Sequence, residues 1–202
     1  MPIVRRATRD DIPRLAATLA SAFADYPWTR WAIPPDDYHN RLERLFTLDL
    51  ANVGIPLDEV WMTDDAASVA VWLPPKEQQT VEIDWARQGE ATAPLIGERL
   101  DRVDAGDDLI IPLRPRVPHW YLATLGTRPE RQGEGLGRAV LGPVLARCDA
   151  EGIPALTETA TEENVAFYGR SGFEVLHELL MPMGGPPLWI LWRPGQAGDA
   201  RS

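Results

Sequence analysis

Between Thr127 and Arg138 the sequence reads Thr-Arg-Pro-Glu-Arg-Gln-Gly-Glu-Gly-Leu-Gly-Arg, with glycines at 133, 135 and 137 and arginines at 128, 131 and 138. Residues of these types in this order suit an anion. Glycine lets the backbone approach a ligand closely, and the first amides of a helix that follows have no carbonyl to bind. The partial positive charge of a helix N-terminus adds to them, and the arginines supply full charges. Two glycine fingerprints fail here. A dinucleotide G-x-G-x-x-G is broken because Arg138 stands three residues after Gly135, and a phosphate-binding Walker loop is broken because no Gly-Lys-Ser/Thr follows. About thirty residues on comes a second polar constellation: Glu158, then Asn164 and Tyr168, four apart and so on one face of a helix.

The elements that must position these residues follow from periodicity. From His119 the pattern predicts a strand over 120–125, a loop over 126–134, a helix over 135–150 with Leu136, Val140, Leu141, Val144 and Leu145 on its buried face, a strand over 155–160, a helix over 162–171, and strands over 173–180 and 188–192. That alternation has βαβ character. Gly142-Pro143 predicts a kink in the first of those helices. Upstream, residues 3–7 read as a short strand and Thr8-x-x-Asp11 as a variant capping box. A helix with Ile12, Leu15, Ala16, Leu19 and Phe23 on one stripe follows, ending at Asp25-Tyr26-Pro27. Residues 27–35 are expected as a loop or broken helix, 38–53 as a second helix with Leu42, Leu45, Phe46 and Leu50 on one face, and 59–63 with 68–73 as a hairpin. Residues 76–118 are the least legible: one or two helices within 81–102, interrupted by Pro94, then a proline-punctuated stretch, together an inserted excursion rather than a second domain.

The segment Gln132-Gly133-Glu134-Gly135-Leu136-Gly137 meets the pattern Gln/Arg-x-x-Gly-x-Gly/Ala, and Asn164-Val165-Ala166-Phe167-Tyr168 with Gly172-Phe173 meets Asn-x-x-Phe-Tyr-x-x-x-Gly-Phe at the matching distance. Together they resemble the coenzyme A loop and the following helix of the GNAT N-acetyltransferases. Ala7–Asp11, Ala22–Pro27, Val60-Trp61, Ala70–Trp72 and Trp120–Gly126 are similar to segments of the puromycin N-acetyltransferase branch, in the same order, with residues 74–116 the weak part. The resemblance implies an α/β GNAT fold, a mixed sheet of about seven strands flanked by helices, over residues 1–195 as one domain; residues 196–202, polar and small, are expected as a disordered tail. It implies acetyl-CoA as cosubstrate. Contacts to it would come from Gln132, Gly133, Glu134, Gly135, Leu136, Gly137 and Arg138, from the backbone of Leu125, Gly126 and Thr127, and from Asn164 and Phe167.

In such an enzyme Tyr168 would donate a hydrogen bond or proton to the departing sulfur, its phenol having a reference pKa near 10 against roughly 8.5 for a thiol. Many family members carry a carboxylate on the strand before the loop, but residues 119–126 contain none, so Glu158 is the candidate to accept the amine proton through water. Tyr26, Trp28 and Trp31, with Trp120, would wall the acceptor cleft, and flat aromatic walls suit a flat or aromatic acceptor. The expected acceptor is the primary amine of a small molecule, such as an aminonucleoside antibiotic, in resistance or biosynthesis. A peptide or protein N-terminus, or a non-catalytic acyl-CoA-binding regulator, are the alternatives.

Composition narrows the classes. The chain has 202 residues, 45% hydrophobic and 25% charged, as a globular protein with a sizeable core does. Its 20 basic and 30 acidic residues give a net charge of −10, which argues against nucleic acid and anionic membrane as partners. One cysteine, Cys148, and three scattered histidines predict no disulfide and no metal. Arg5 and Arg6 interrupt the start before any secretory leader forms, and no apolar run approaches the length of a membrane span, so a cytoplasmic monomer or homodimer is expected.

Overall fold

The structure, a computed structural model, describes residues 2–195; the tail expected at 196–202 lies outside the described residues. Strand β1 (Val4–Arg6) leads to α1 (Ile12–Ala22), whose entry is fixed by Asp11. That carboxylate accepts from the Thr8 amide at 2.9 Å and from the Arg5 guanidinium at 2.7 and 2.8 Å, so the capping box is also an ion pair to β1. The stripe Leu15, Ala16 and Leu19 is buried as its period requires. Where a loop or broken helix was expected, Pro27 opens a short helix, α2 (Pro27–Ala32), because its fixed φ suits the first helical position. Next comes α3 (Tyr38–Asp49), extended by one π-wound turn over Leu50–Gly54.

Strands β2 (Val60–Thr63) and β3 (Ser68–Leu73) form the expected hairpin. The excursion is more regular than its prolines suggest, with α4 (Trp85–Ile96) and α5 (Leu100–Ile110). Pro94 does not break α4, because it falls in the last turn, where the Arg41 guanidinium donates to the carbonyls of Pro94 and Leu95 at 3.0 and 3.1 Å. Similarly, Arg99 donates to the carbonyls of Arg30 and Ile33 at 2.8 and 2.6 Å, tying the excursion to the end of α2.

The second half is β4 (Trp120–Thr127), α6 (Leu136–Glu151), β5 (Ala155–Thr159), α7 (Glu162–Gly169), β6 (Glu174–Leu180) and β7 (Pro187–Arg193). Helix α6 carries Pro143 without ending there. One seven-stranded sheet has the order β1-β2-β3-β4-β5-β7-β6, antiparallel except between β4 and β5, which α6 connects. One core, with Leu15, Leu19, Leu42 and Phe46, lies under α1 and α3; a second, with Trp72, Trp120, Val140 and Val144, lies under α6; a small third cluster gathers Val53, Leu57 and Ile83.

Candidate active site

Strands β4 and β5 pair only at Trp120–Ala155, Tyr121–Leu156 and Leu122–Thr157, although β4 runs on to Thr127 and β5 to Thr159. On its other edge β4 stays paired with β3 as far as Thr127, with one extra residue, Ala123, between the Val71–Thr124 and Trp72–Leu122 pairs. The bulge turns β4 away from β5 just where pairing stops. At the parting point the Thr157 hydroxyl donates to the Leu122 carbonyl at 3.0 Å. Beyond it, the β5-facing edge of β4 at Ala123–Leu125 meets no strand, which suits an extended ligand entering as a strand would.

The loop after β4 is shaped by Gly133 and Gly135, both left-handed at φ 80° and 79°, a conformation that disfavours other residues. Among the described residues, the amides of 133–138 donate to no protein group; the first paired amide of α6 is that of Ala139, bonded to the Gly135 carbonyl at 3.1 Å. The Gln132 side chain donates to the Thr127 carbonyl at 3.3 Å, bracing the loop from within. Arg131 is committed to Glu134 at 2.8 Å and Asp65 at 2.9 Å, and Arg128 to the Thr18 hydroxyl at 3.1 Å, so these two shape the loop. Arg138 makes no ion pair among the described residues. A Cβ at Gly137 would sit 3.4 Å from the Phe167 ring, so Phe167 docks α7 onto the first turn of α6.

A cavity of about 370 Å³ opens beside the parted strands. It brings together Tyr26, Trp28, Leu125, Glu158, Asn164 and Tyr168 of the expected residues. Gly126, Thr127 and residues 132–138 lie along the β4–α6 turn outside it. Two expected wall residues are corrected. Trp120 is fully buried in the α6 core, edge-on to Trp72 at 6.4 Å and under the Arg147 guanidinium. Trp31 is wedged against two glycines, since a Cβ would stand 3.3 Å from its ring at Gly106 and 2.9 Å at Gly185, so it locks α2 to α5 and to the β6–β7 turn. Both are large aromatics that the cores absorb.

Tyr26 reaches across from the α1–α2 link: its hydroxyl lies 3.0 Å from the Thr159 hydroxyl and accepts from the Ala160 amide at 2.6 Å. Asn164 donates to the same Thr159 hydroxyl at 3.0 Å. Burial pushes the Tyr168 phenol above its ordinary pKa, so the hydroxyl keeps its proton at neutral pH.

Glu158 is differently placed from the role expected of it. One of its oxygens accepts from Arg114 at 2.7 Å, and the other accepts from Arg114 at 3.0 Å and from the Tyr121 hydroxyl at 2.8 Å. Both oxygens are thus engaged by Arg114 and Tyr121, and Glu158 faces the cavity as the acidic half of an ion pair. Sequence reading missed Arg114 and Asp107, which reach the cavity from the illegible excursion, and it missed Asp49. A signal for Asp49 existed: it interrupts the apolar face of Leu42, Leu45, Phe46 and Leu50 with an acid. Burial pushes its carboxyl up to about 6, opposed by one hydrogen bond from Gln88.

Residues 67–173 match the family model described as acetyltransferase (GNAT) family. A solved structure titled histone acetyltransferase HPA2 and related acetyltransferase, from Corynebacterium glutamicum, is 26% identical, covers 96% of each chain and superposes with a TM-score of 0.72. An uncharacterised N-acetyltransferase of Schizosaccharomyces pombe is 25% identical over 186 residues, 84% of this chain and 73% of its own length. A polyamine N-acetyltransferase of Drosophila melanogaster shares the fold, at 14% identity, with 96% of this chain and 100% of that chain covered and a TM-score of 0.56. The chain belongs to the GNAT family and is an acetyl-CoA-dependent N-acetyltransferase with an α/β fold.

Proposed function

We propose that this GNAT enzyme, with residues 1–195 working as one catalytic domain, acetylates the primary amine of a compact small molecule with an apolar or aromatic body. An aminonucleoside antibiotic such as puromycin, or a related natural product, is of that kind, and resistance or biosynthesis is the setting it fits. The observation that carries this reading is the cavity itself: it adjoins the parted β4–β5 edge, and α4 and α5 wall it with Trp85, Asp107 and Ile110. A walled cavity favours a compact acceptor over an extended peptide.

Acetyl-CoA supplies the acetyl group as a thioester. The unpaired amides of 133–138, with Arg138, clasp its pyrophosphate. The open edge of β4 holds the pantetheine arm, with the Leu125 amide directed at the thioester carbonyl and Asn164 steadied by Thr159 beside it. Tyr168 faces the sulfur as a hydrogen-bond donor. Glu158, held by Arg114 and Tyr121, positions the cavity wall.

The test is CoA release with acetyl-CoA and an amine panel that includes puromycin and short peptides, with acetylated products identified by mass. Acetylation of small amines but not peptides is expected. Peptide-only turnover would transfer the activity to protein or peptide N-termini, and acetyl-CoA binding without any turnover would make the chain an acyl-CoA-binding regulator.

A further inference from the structure

One carboxylate in the cavity wall has no part in the chemistry described so far. Asp49 ends α3, and its Oδ1 accepts from the Gln88 side-chain amide on α4 at 2.6 Å. Asn52 donates to the Gln88 carbonyl oxygen at 2.9 Å, which fixes the orientation of the Gln88 amide and directs its N–H at Asp49. Directly after Asp49 the helix is π-wound, with the Ile55 amide bonded to the Leu50 carbonyl at 2.9 Å, a distortion often found at functional sites. Among the described residues, no arginine, lysine or histidine pairs with Asp49, and no protein donor reaches its Oδ2.

The surroundings sharpen the point. Asp49 shares its cavity with Phe23, Phe46, Leu73 and Trp85. The charged and titratable groups facing the same space are Asp107 from α5, Arg114 after it, Tyr121 from β4, Glu158 from β5, Tyr26 from the α1–α2 link and Tyr168 from α7. Arg114, the one cation among them, is bound by Glu158. Helices α1 and α4, which pack against α3, contribute no titratable group to the cavity. An unpaired carboxylate in an apolar cavity is costly unless a cation arrives to compensate it.

We propose that Asp49 is the acceptor-side catalytic carboxylate: it pairs with the ammonium of an amine whose apolar body packs on Phe23, Phe46 and Trp85, and takes one proton from it. This inference rests on the N-acetyltransferase reading above. The ammonium R–NH3+ gives a proton to the Asp49 carboxylate and becomes R–NH2. The amine nitrogen then bonds to the thioester carbon, the carbon–sulfur bond breaks with its electron pair on sulfur, and the second nitrogen proton reaches that sulfur to give CoA thiol. Asp49 returns its proton to water. A carboxyl shifted to about 6 is well matched to this exchange near neutral pH.

Binding tests the ammonium contact without turnover. Phenethylamine and its neutral isostere 2-phenylethanol are titrated calorimetrically into wild type and Asp49→Asn. Near pH 8, wild type is expected to prefer the amine by roughly tenfold and the variant to bind both alike. Wild type alone should lose the preference near pH 5, where Asp49 is protonated, so the result does not depend on the variant folding. Equal preference in both proteins and at both pH values, or no binding of the amine by wild type, overturns the proposal. In turnover, Asp49→Asn should lose about 100-fold in kcat/KM with phenethylamine but less than threefold with O-benzylhydroxylamine, which is neutral at this pH and needs no proton acceptor. An equal loss with both removes the proton step. Absence of CoA release from any amine would overturn the acetyl-transfer reading and the proton step with it, while the binding comparison decides the ammonium contact separately.

Discussion

A phenol raised above its ordinary pKa by burial is a weaker acid than the CoA thiol, with its reference value near 8.5, so full proton transfer from Tyr168 to the sulfur runs uphill. In the proposed mechanism Tyr168 would therefore work by donating a hydrogen bond as charge develops on sulfur, the logic of an oxyanion donor applied to a thiolate. Tyr168→Phe is expected to lower kcat by roughly 100-fold while changing the acetyl-CoA Kd less than about twofold. Steady-state kinetics with equilibrium titration separates the two quantities, and equal kcat would remove Tyr168 from the chemistry. Asp49 makes a claim on stability as well. A carboxyl raised to about 6 holds a proton in the folded state that the unfolded chain has already released, so stability falls as pH rises from about 4 to 6 and stays lower above that. Asp49→Asn is thus expected to be more stable than wild type near pH 8 by on the order of 1–3 kcal/mol, a difference that fades below about pH 4 in urea melts. A variant less stable at every pH would mark Asp49 as a structural link to Gln88.

The packing of α1 against β4 depends on one glycine. A Cβ at Gly126 would stand 2.7 Å from Leu19 and 3.2 Å from Ala22, so α1 can lie this close to β4 only because position 126 has no side chain. Gly126→Val should cost about 1–3 kcal/mol in chemical denaturation and weaken acetyl-CoA binding, as α1 is pushed off the strand. Unchanged stability would show that α1 yields easily. Sequence reading named Gly126 for a different reason, as a backbone contact to the cosubstrate implied by the family resemblance, while the strand–glycine loop–helix succession around it is legible from spacing. The same transparency holds for the helix bearing Asn164 and Tyr168. It fails in the excursion, where Pro94 signals a break, but Pro94 falls in the last turn of α4, whose end carbonyls at Pro94 and Leu95 are capped by Arg41, distant in sequence. Trp31 and Trp120 failed for a related reason. Nothing in a tryptophan's neighbours along the chain says whether it faces a cavity or fills a gap, and Gly106 and Gly185, which receive Trp31, lie far away in sequence.

Across the molecule, the sheet divides the labour. In the proposed reading, the loop amides and the docked α7 on the α6 side would take the anionic cosubstrate, and the aromatic walls and Asp49 on the α1–α3 side would take the cationic acceptor. The gap between β4 and β5 joins them. Glu158 was legible as an acid at the end of a strand, yet its true partners, Arg114 and Tyr121, come from opposite sides of the illegible excursion's end. The central claim, that the bare amides of 133–138 and the open edge of β4 together aim a thioester at Tyr168, is tested most directly by a crystal structure with acetyl-CoA. The expected result has the pyrophosphate on those amides, the thioester carbonyl at the Leu125 amide and the sulfur within hydrogen-bond reach of the Tyr168 hydroxyl. Acetyl-CoA bound with the 133–138 amides uncontacted, or with its sulfur directed away from α7, would contradict it.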